Sequence, residues 1–288
     1  MADKVKVIGG MENFWLYSEA AGYDITHPPT PDSPKVYPRL SVQTKEDSVI
    51  LDPTKTALVI VDLQNYFLSP ALGRPADSAG LQVVEKLKTV VIPACRKAGI
   101  TILWLEWGLT QKDIDKMPPT LVKGFAQDSN FEADRKIPGL GVKIGPVKLG
   151  DGTIIEAGKA LMQDEWNSNT YEPLATLFEP SDLRIYKNRL SGFWGGTQVE
   201  QALKSRGIRT LILAGCNTDQ CVASSLIDAM SKSWDCLMLS DACATTSPKF
   251  AKDMVEYNMG GWGFLLTCEN LADGIGTLKT SPTDESDE

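Results

Sequence analysis

Three reactive side chains fall where apolar segments of the chain end. Asp62 closes the run TALVIVD, Lys187 closes LRIYK, and Cys221 follows TLILAG across the turn CNTDQ. A carboxylate at the end of a buried apolar segment must be hydrogen-bonded or paired with a cation, because desolvating a lone charge is costly. Lys187 is the available cation. Cys221 falls in the first turn of the following helix, where unpaired backbone N–H groups and the helix dipole favour a thiolate. A nucleophile, a proton acceptor and a cation that holds both in place are the parts of nucleophilic catalysis. Singly, each has a plainer reading: an Asp that caps a helix or forms a turn, a solvated Lys, a Cys packed as a small hydrophobe. Three together on strand ends of one sheet are harder to read that way.

The composition narrows the chemistry further. The chain has 288 residues, 29 Lys and Arg against 37 Asp and Glu, a formal charge of −8, and one histidine. A zinc site built from two or three histidines and a two-histidine iron site are therefore impossible. A Ser-His-Asp triad would have to use His27, which sits in the Pro-rich stretch THPPTPDSP. The acidic balance argues against nucleic acid or an anionic membrane as partner and leaves a small-molecule substrate. The opening MADKVKVIGG has no apolar core of a signal peptide and no apolar run reaches membrane-spanning length, so a cytoplasmic protein is expected. Six cysteines over this length predict reduced thiols rather than a disulfide framework. No cofactor is expected. GLGVKIG (139–145) misses the dinucleotide pattern because Ile144 takes the third glycine position, and no GxxxxGK[ST] or GxSxG is present.

Positioning Asp62, Lys187 and Cys221 requires a scaffold, and the alternation of apolar and amphipathic segments supplies one. Strands are predicted at 56–62, 100–106, 183–187, 210–215, 236–242 and 263–267. Helices are predicted over 81–98, closed by Gly99; from Thr197, where Thr197 and Glu200 form a capping box, to Gly207; over 218–233; and after Ser247-Pro248. Six strands separated by helices predict an α/β fold with a doubly wound, mostly parallel six-stranded sheet and helices on both faces. Such sheets bind ligands at the carboxyl ends of their strands, where these three residues stand. The domain spans 54–280. Residues 1–53 read as an irregular extension packed on it, with a short hairpin of 40–42 with 49–51. Residues 108–181 form a long insertion of the kind that shapes pockets, and 281–288 an acidic disordered tail.

From about Thr56 to Thr267 the chain resembles the isochorismatase-like cysteine hydrolases. Four motifs carry the resemblance: VIVDLQNYF, KNRLSGFWGGT, LILAGCNTDQCV and SLIDA followed by DCLMLSDACATTSP. It implies a catalytic triad of Asp62, Lys187 and Cys221, a non-proline cis peptide at Cys216–Asn217, and an oxyanion hole formed by backbone N–H groups of Asn217 and Cys221. Substrate contacts are expected from Gln64, Phe67, Trp107 and Trp194, and a homo-oligomer, dimer or tetramer, is implied. The chain departs from the metal-dependent nicotinamidases of the superfamily: where they carry an Asp-x-His-x-His-type site this sequence reads WLEWGLTQKD. Tyr66 stands where many members carry Asp. Members that cut C–N bonds need the cysteine, so its retention points to hydrolysis of a small amide, ureido or carbamoyl substrate through a thioester. The alternatives are isochorismatase chemistry, vinyl ether hydrolysis that does not need Cys221, and a non-catalytic binding or effector protein. Cys216, five residues before Cys221, reads as a packing residue.

Overall fold

Six apolar segments become parallel strands in a computed structural model that describes residues 4–127 and 139–285. They are β1 (Thr56–Val61), β2 (Thr101–Trp107), β3 (Leu183–Lys187), β4 (Thr210–Cys216), β5 (Asp235–Ala244) and β6 (Phe264–Leu266), in the order β3-β2-β1-β4-β5-β6. Every neighbouring pair is parallel. The α/β doubly wound sheet expected from the sequence is therefore present. Successive residues of a strand point to opposite faces, and here both faces are covered. Leu58, Ile60 and Ile212 enter one hydrophobic layer, while Ala57, Val59, Val61, Leu211 and Leu213 enter the other. That is why β1 reads as an unbroken apolar run.

The strand order reverses between β1 and β4, which makes their carboxyl ends the natural ligand crevice of the sheet. Gly215 brings the two strands together there. It lies opposite Val61 at φ +130°, and a Cβ on it would stand 2.1 Å from the Val61 carbonyl oxygen. Only glycine allows that approach.

Several local expectations are corrected. The helix expected over 81–98 is present from Ala79 to Ala98, but its regular ladder widens to a π-helical turn over Leu87–Val91. Pro93 has no N–H to donate back along the helix, so the regular ladder cannot run through it. The capping box at Thr197 does not form. The helix starts at Val199, Thr197 Oγ1 donates to the Gly192 carbonyl, and the Glu200 carboxylate pairs instead with Lys232.

Residues of the N-terminal segment are not irregular but build a second sheet of five strands, Lys6–Gly10, Asn13–Ser18, Gly22–Asp24, Leu40–Gln43 and Ser48–Leu51. The expected hairpin is present within it, with Leu40 opposite Leu51 and Val42 opposite Val49. Those four side chains are buried in the same layer as Leu58 and Ile60. At the start of β5, the Asp235 carboxylate receives the Trp15 indole N–H and the His27 ring, and Trp15 packs on Phe264 at 5.2 Å. The single histidine thus lies at the amino ends of the parallel strands, whereas Asp62 lies at their carboxyl ends.

The insertion contains helices Gln111–Asp115, Pro119–Gln127 and Glu172–Ala175 and a hairpin of Pro146–Lys148 with Ile154–Glu156. Within the acidic tail, Pro282–Glu285 form a 3-10 turn, and residues 286–288 lie outside the described residues. Among the described residues no helix is long and apolar enough to cross a membrane.

Candidate active site

Asp62 is the first residue beyond β1, and it adopts φ +54°, a left-handed conformation that a residue with a Cβ seldom occupies. Two strands hold it there. Its N–H donates to the Leu105 carbonyl of β2 at 2.9 Å, and its carbonyl accepts from Cys216 Sγ of β4 at 3.2 Å. Gln64 fixes the chain just beyond. Its Nε2 donates to the carbonyls of Trp107 and Ser168, at 2.7 and 2.6 Å, while its Oε1 accepts from the Trp107 N–H at 2.9 Å. One amide therefore ties the β1 end to the β2 end and to the insertion.

Lys187 ends β3, opposite Trp107 in the register. Its ammonium lies 4.0 Å from the centre of the Trp107 ring, 2.9 Å from Asp62 Oδ2, 3.4 Å from Cys221 Sγ and 3.2 Å from the Arg189 carbonyl oxygen. The side chains of Asp62 and Lys187 are both wholly buried. Cys221 lies in the wide turn Thr218–Val222 that leads into the helix Ala223–Ser231. The Cys216–Asn217 peptide before it is cis. Three side chains more than thirty residues apart in sequence are thus packed around one ammonium.

Burial decides the protonation of this cluster. It pushes the Asp62 carboxyl above the ordinary range, with the Lys187 charge working against it. Burial likewise pushes the Cys221 thiol to about 12, and the neighbouring Asp62 charge adds to the rise although Lys187 opposes it. Burial thus works against the thiolate that the start of a helix favours, and leaves the sulfur beside a carboxyl whose proton affinity it also raises.

A cavity of about 330 Å³ opens onto Cys221. Tyr66, Phe67 and Arg74 line it from beyond β1, Asn217 and Gln220 from beyond β4, Leu190 from beyond β3 and Thr246 from beyond β5. The insertion closes the other side with Thr120, Leu121, Gly124 and Phe125 of helix Pro119–Gln127.

The sequence and the fold both match known proteins. The family model of the Isochorismatase domain matches residues 56–261. The chain belongs to the isochorismatase family. The fold of this isochorismatase-family hydrolase recurs in a cysteine hydrolase from Pseudomonas syringae pv. phaseolicola 1448A, at TM-score 0.59 and 17% identity, covering 78% of this chain and 94% of that one. It recurs also in an isochorismatase family protein from Desulfovibrio vulgaris subsp. vulgaris str. Hildenborough, at 0.57 and 18%, over 77% and 98%. N-carbamoylsarcosine amidase from Thermoplasma acidophilum aligns at 0.53 and 21%, over 75% and 97%.

Of the residues expected to contact substrate in this isochorismatase-family chain, Phe67 lines the cavity. Gln64 is buried and spends its amide on backbone groups, so it shapes the site from behind. Trp107 is also fully buried, one layer behind the wall, with Phe125 packed on it edge-on at 5.1 Å. Trp194 lies outside the described lining, 41% exposed and covered by the Arg189 guanidinium at 5.0 Å. Sequence reasoning did not find Arg74, Leu121, Phe125 or Thr246, which come from three separate segments: beyond β1, the helix Pro119–Gln127 of the insertion, and beyond β5. Only the placement of an insertion at a strand end signalled any of them.

Glu106 is a further buried carboxylate of the site's surroundings. It accepts from Thr170 Oγ1 and from Arg184 Nε, and burial raises its pKa against the Arg184 charge. Its ion pair ties β2 to β3 just below Lys187, a second cross-strand fastening beside that of Gln64.

Proposed function

We propose that this isochorismatase-family hydrolase cleaves a C–N bond of a small amide, ureido or carbamoyl substrate through a thioester on Cys221. The observation that carries the reading is the contact of one buried ammonium, Lys187 Nζ, with both Asp62 Oδ2 and Cys221 Sγ, the last of which lines the cavity. Asp62 takes the thiol proton as the sulfur attacks the carbonyl carbon. The oxyanion that forms is bound by backbone N–H groups of Asn217 and Cys221, both of which line the cavity. As the C–N bond breaks, Asp62 returns the proton to the leaving nitrogen. Water then attacks the thioester, Asp62 takes its proton, and the acid leaves with the thiol restored. The charge of Lys187 beside Asp62 favours its ionised form between turnovers.

The aromatic walls and the Arg74 guanidinium suit a small substrate with a planar or apolar body. The test is product release from a panel of small amides, ureides and isochorismate, with the Cys221→Ala protein as control. Amide turnover lost in the control, with a thioester trapped on Cys221 by mass spectrometry, supports the reading. Isochorismate turnover that survives Cys221→Ala and disappears in Asp62→Asn replaces it with vinyl ether chemistry.

A further inference from the structure

The three most exposed large apolar side chains among the described residues, Phe250, Tyr257 and Trp262, all belong to one helix, Lys249–Trp262, which follows β5. Its inward face is that of an ordinary surface helix: Val255 and Met259 are buried in the layer that holds Leu211, Leu213 and Met238. Such a helix is expected to turn polar residues outward. Instead Phe250, Met254 and Tyr257, at spacings of four and three residues, form one apolar stripe on the solvent side, 72, 53 and 81% exposed. A stripe of this kind left in water carries a cost that burial against a partner removes.

We propose that this face is a self-complementary interface, on which two copies of the chain pair the helix Lys249–Trp262 with its counterpart, antiparallel, about a two-fold axis at Met254. The spacing points to a second copy. Phe250 lies four residues before Met254 and Tyr257 three after it. Antiparallel pairing therefore sets Phe250 of each copy against the partner's Tyr257 and brings both Met254 side chains to the axis, the isologous pattern of a two-fold dimer. Aromatic rings that meet in pairs and an unbranched thioether that adapts its shape suit such a contact. Charge permits it as well. The chain carries a formal −8, but the stripe is flanked by Lys249 paired with Asp253 at 2.6 Å and Lys252 paired with Glu256 at 3.5 Å, so two such rims meet without like-charge repulsion. An aromatic side chain offers about 150–250 Å² of surface, so at these exposures the stripe presents roughly 450 Å². Two stripes, with the aliphatic stems of the flanking lysines, reach the roughly 1,000 Å² that a specific interface requires.

The experiment is sedimentation of the full chain across micromolar concentrations, beside the double variant Phe250→Asp, Tyr257→Asp. It needs no substrate, so it stands apart from the question of which bond Cys221 cuts. A reversible dimer whose dissociation constant rises more than about thirtyfold in the double variant, the loss of at least one buried aromatic anchor, with an unchanged unfolding midpoint, supports the proposal. A parent protein that stays monomeric leaves the face to a different protein and overturns it, and so does an assembly that the double variant leaves equally tight. Met254→Cys adds a measurement of position that holds even if the double variant does not fold. The described cysteines are all buried, so a thiol at 254 is the accessible one, and at the axis it meets its own copy. Rapid disulfide-linked dimer formation under mild oxidation supports the axis at Met254. Linkage no faster than that of Ile154→Cys, an exposed control position on the hairpin of the insertion, is random collision and overturns it.

Discussion

Lys187 Nζ and Asp62 Oδ2 form a 2.9 Å ion pair with no side-chain surface left in contact with solvent. The pair links the end of β3 to the end of β1 past the β2 strand between them. Such a pair is held by mutual compensation, and removing one partner leaves the other as an uncompensated buried charge. Lys187→Met is expected to lower folding stability by about 3–5 kcal/mol in urea titration and to abolish hydrolysis. Adding Asp62→Asn to that variant should restore part of the stability and none of the activity, a non-additivity that separates the structural from the chemical role.

Cys221→Ser changes one atom of a buried side chain and should leave the unfolding midpoint within about 1 kcal/mol of the parent protein. Turnover should fall more than about 10³-fold, because the hydroxyl is a far weaker nucleophile at the same position. A variant that keeps amide turnover within tenfold would remove Cys221 from the mechanism.

The pH dependence follows from two shifts. The Asp62 carboxyl is raised by burial, so the acid limb of kcat/KM lies above the ordinary aspartate value of 3.8, with activity increasing as Asp62 ionises. The Cys221 thiol sits at about 12, so its own ionisation gives no descending limb at neutral or mildly alkaline pH. Iodoacetamide should alkylate Cys221 slowly at neutral pH, with a rate that climbs steadily into the alkaline range. A plateau reached near neutrality would show a resting thiolate instead.

A different carboxylate reports on stability. Asp241 loses by burial, but the Lys86 ammonium at 2.7 Å and the Cys268 N–H at 2.9 Å outweigh that and hold its pKa below 3.8. A group lowered on folding contributes stability that is present above its unfolded pKa and is lost as pH falls through the folded one. Asp241→Asn should therefore cost up to about 1 kcal/mol at neutral pH and progressively less below pH 3.8. Equal destabilisation at both pH values would contradict this.

Gly215→Ala tests the junction of β1 and β4. The new methyl would stand 2.1 Å from a backbone oxygen of Val61 at a φ that disfavours any side chain. Backbone cannot yield cheaply, so a loss of about 3 kcal/mol or more is expected in chemical unfolding, with activity lost through displacement of Cys221 from Asp62.

The parts of this protein legible in the sequence are those in which neighbours along the chain act together. TALVIVD, ITILWLE and TLILAG announce buried strands because an unbroken β-branched and aliphatic run satisfies a sheet covered on both faces. The N-terminal sheet escaped because its strands are short and the second and third are only half-buried, so their alternation is weak. Thr197 and Glu200 satisfied the spacing of a capping box, yet Lys232, distant in sequence, attracts the glutamate more strongly. Gln64, Trp107 and Trp194 stood beside the motifs, but adjacency in sequence does not say whether a side chain faces a cavity or a neighbouring strand.

What the sequence determined by itself is the order and kind of the strands, the carboxylate, the lysine and the cysteine at three of their ends, and the absence of a second histidine for any other base. Only the tertiary structure decided that Lys187 crosses past β2 to meet Asp62 and Cys221, that burial raises the proton affinity of the sulfur, and that Arg74, Phe125 and Leu121 line the cavity onto which it opens. The physical reason is the range of the forces. Strand and helix preferences arise between residues a few positions apart, whereas protonation and pocket shape depend on burial and on charges brought together from separate parts of the chain.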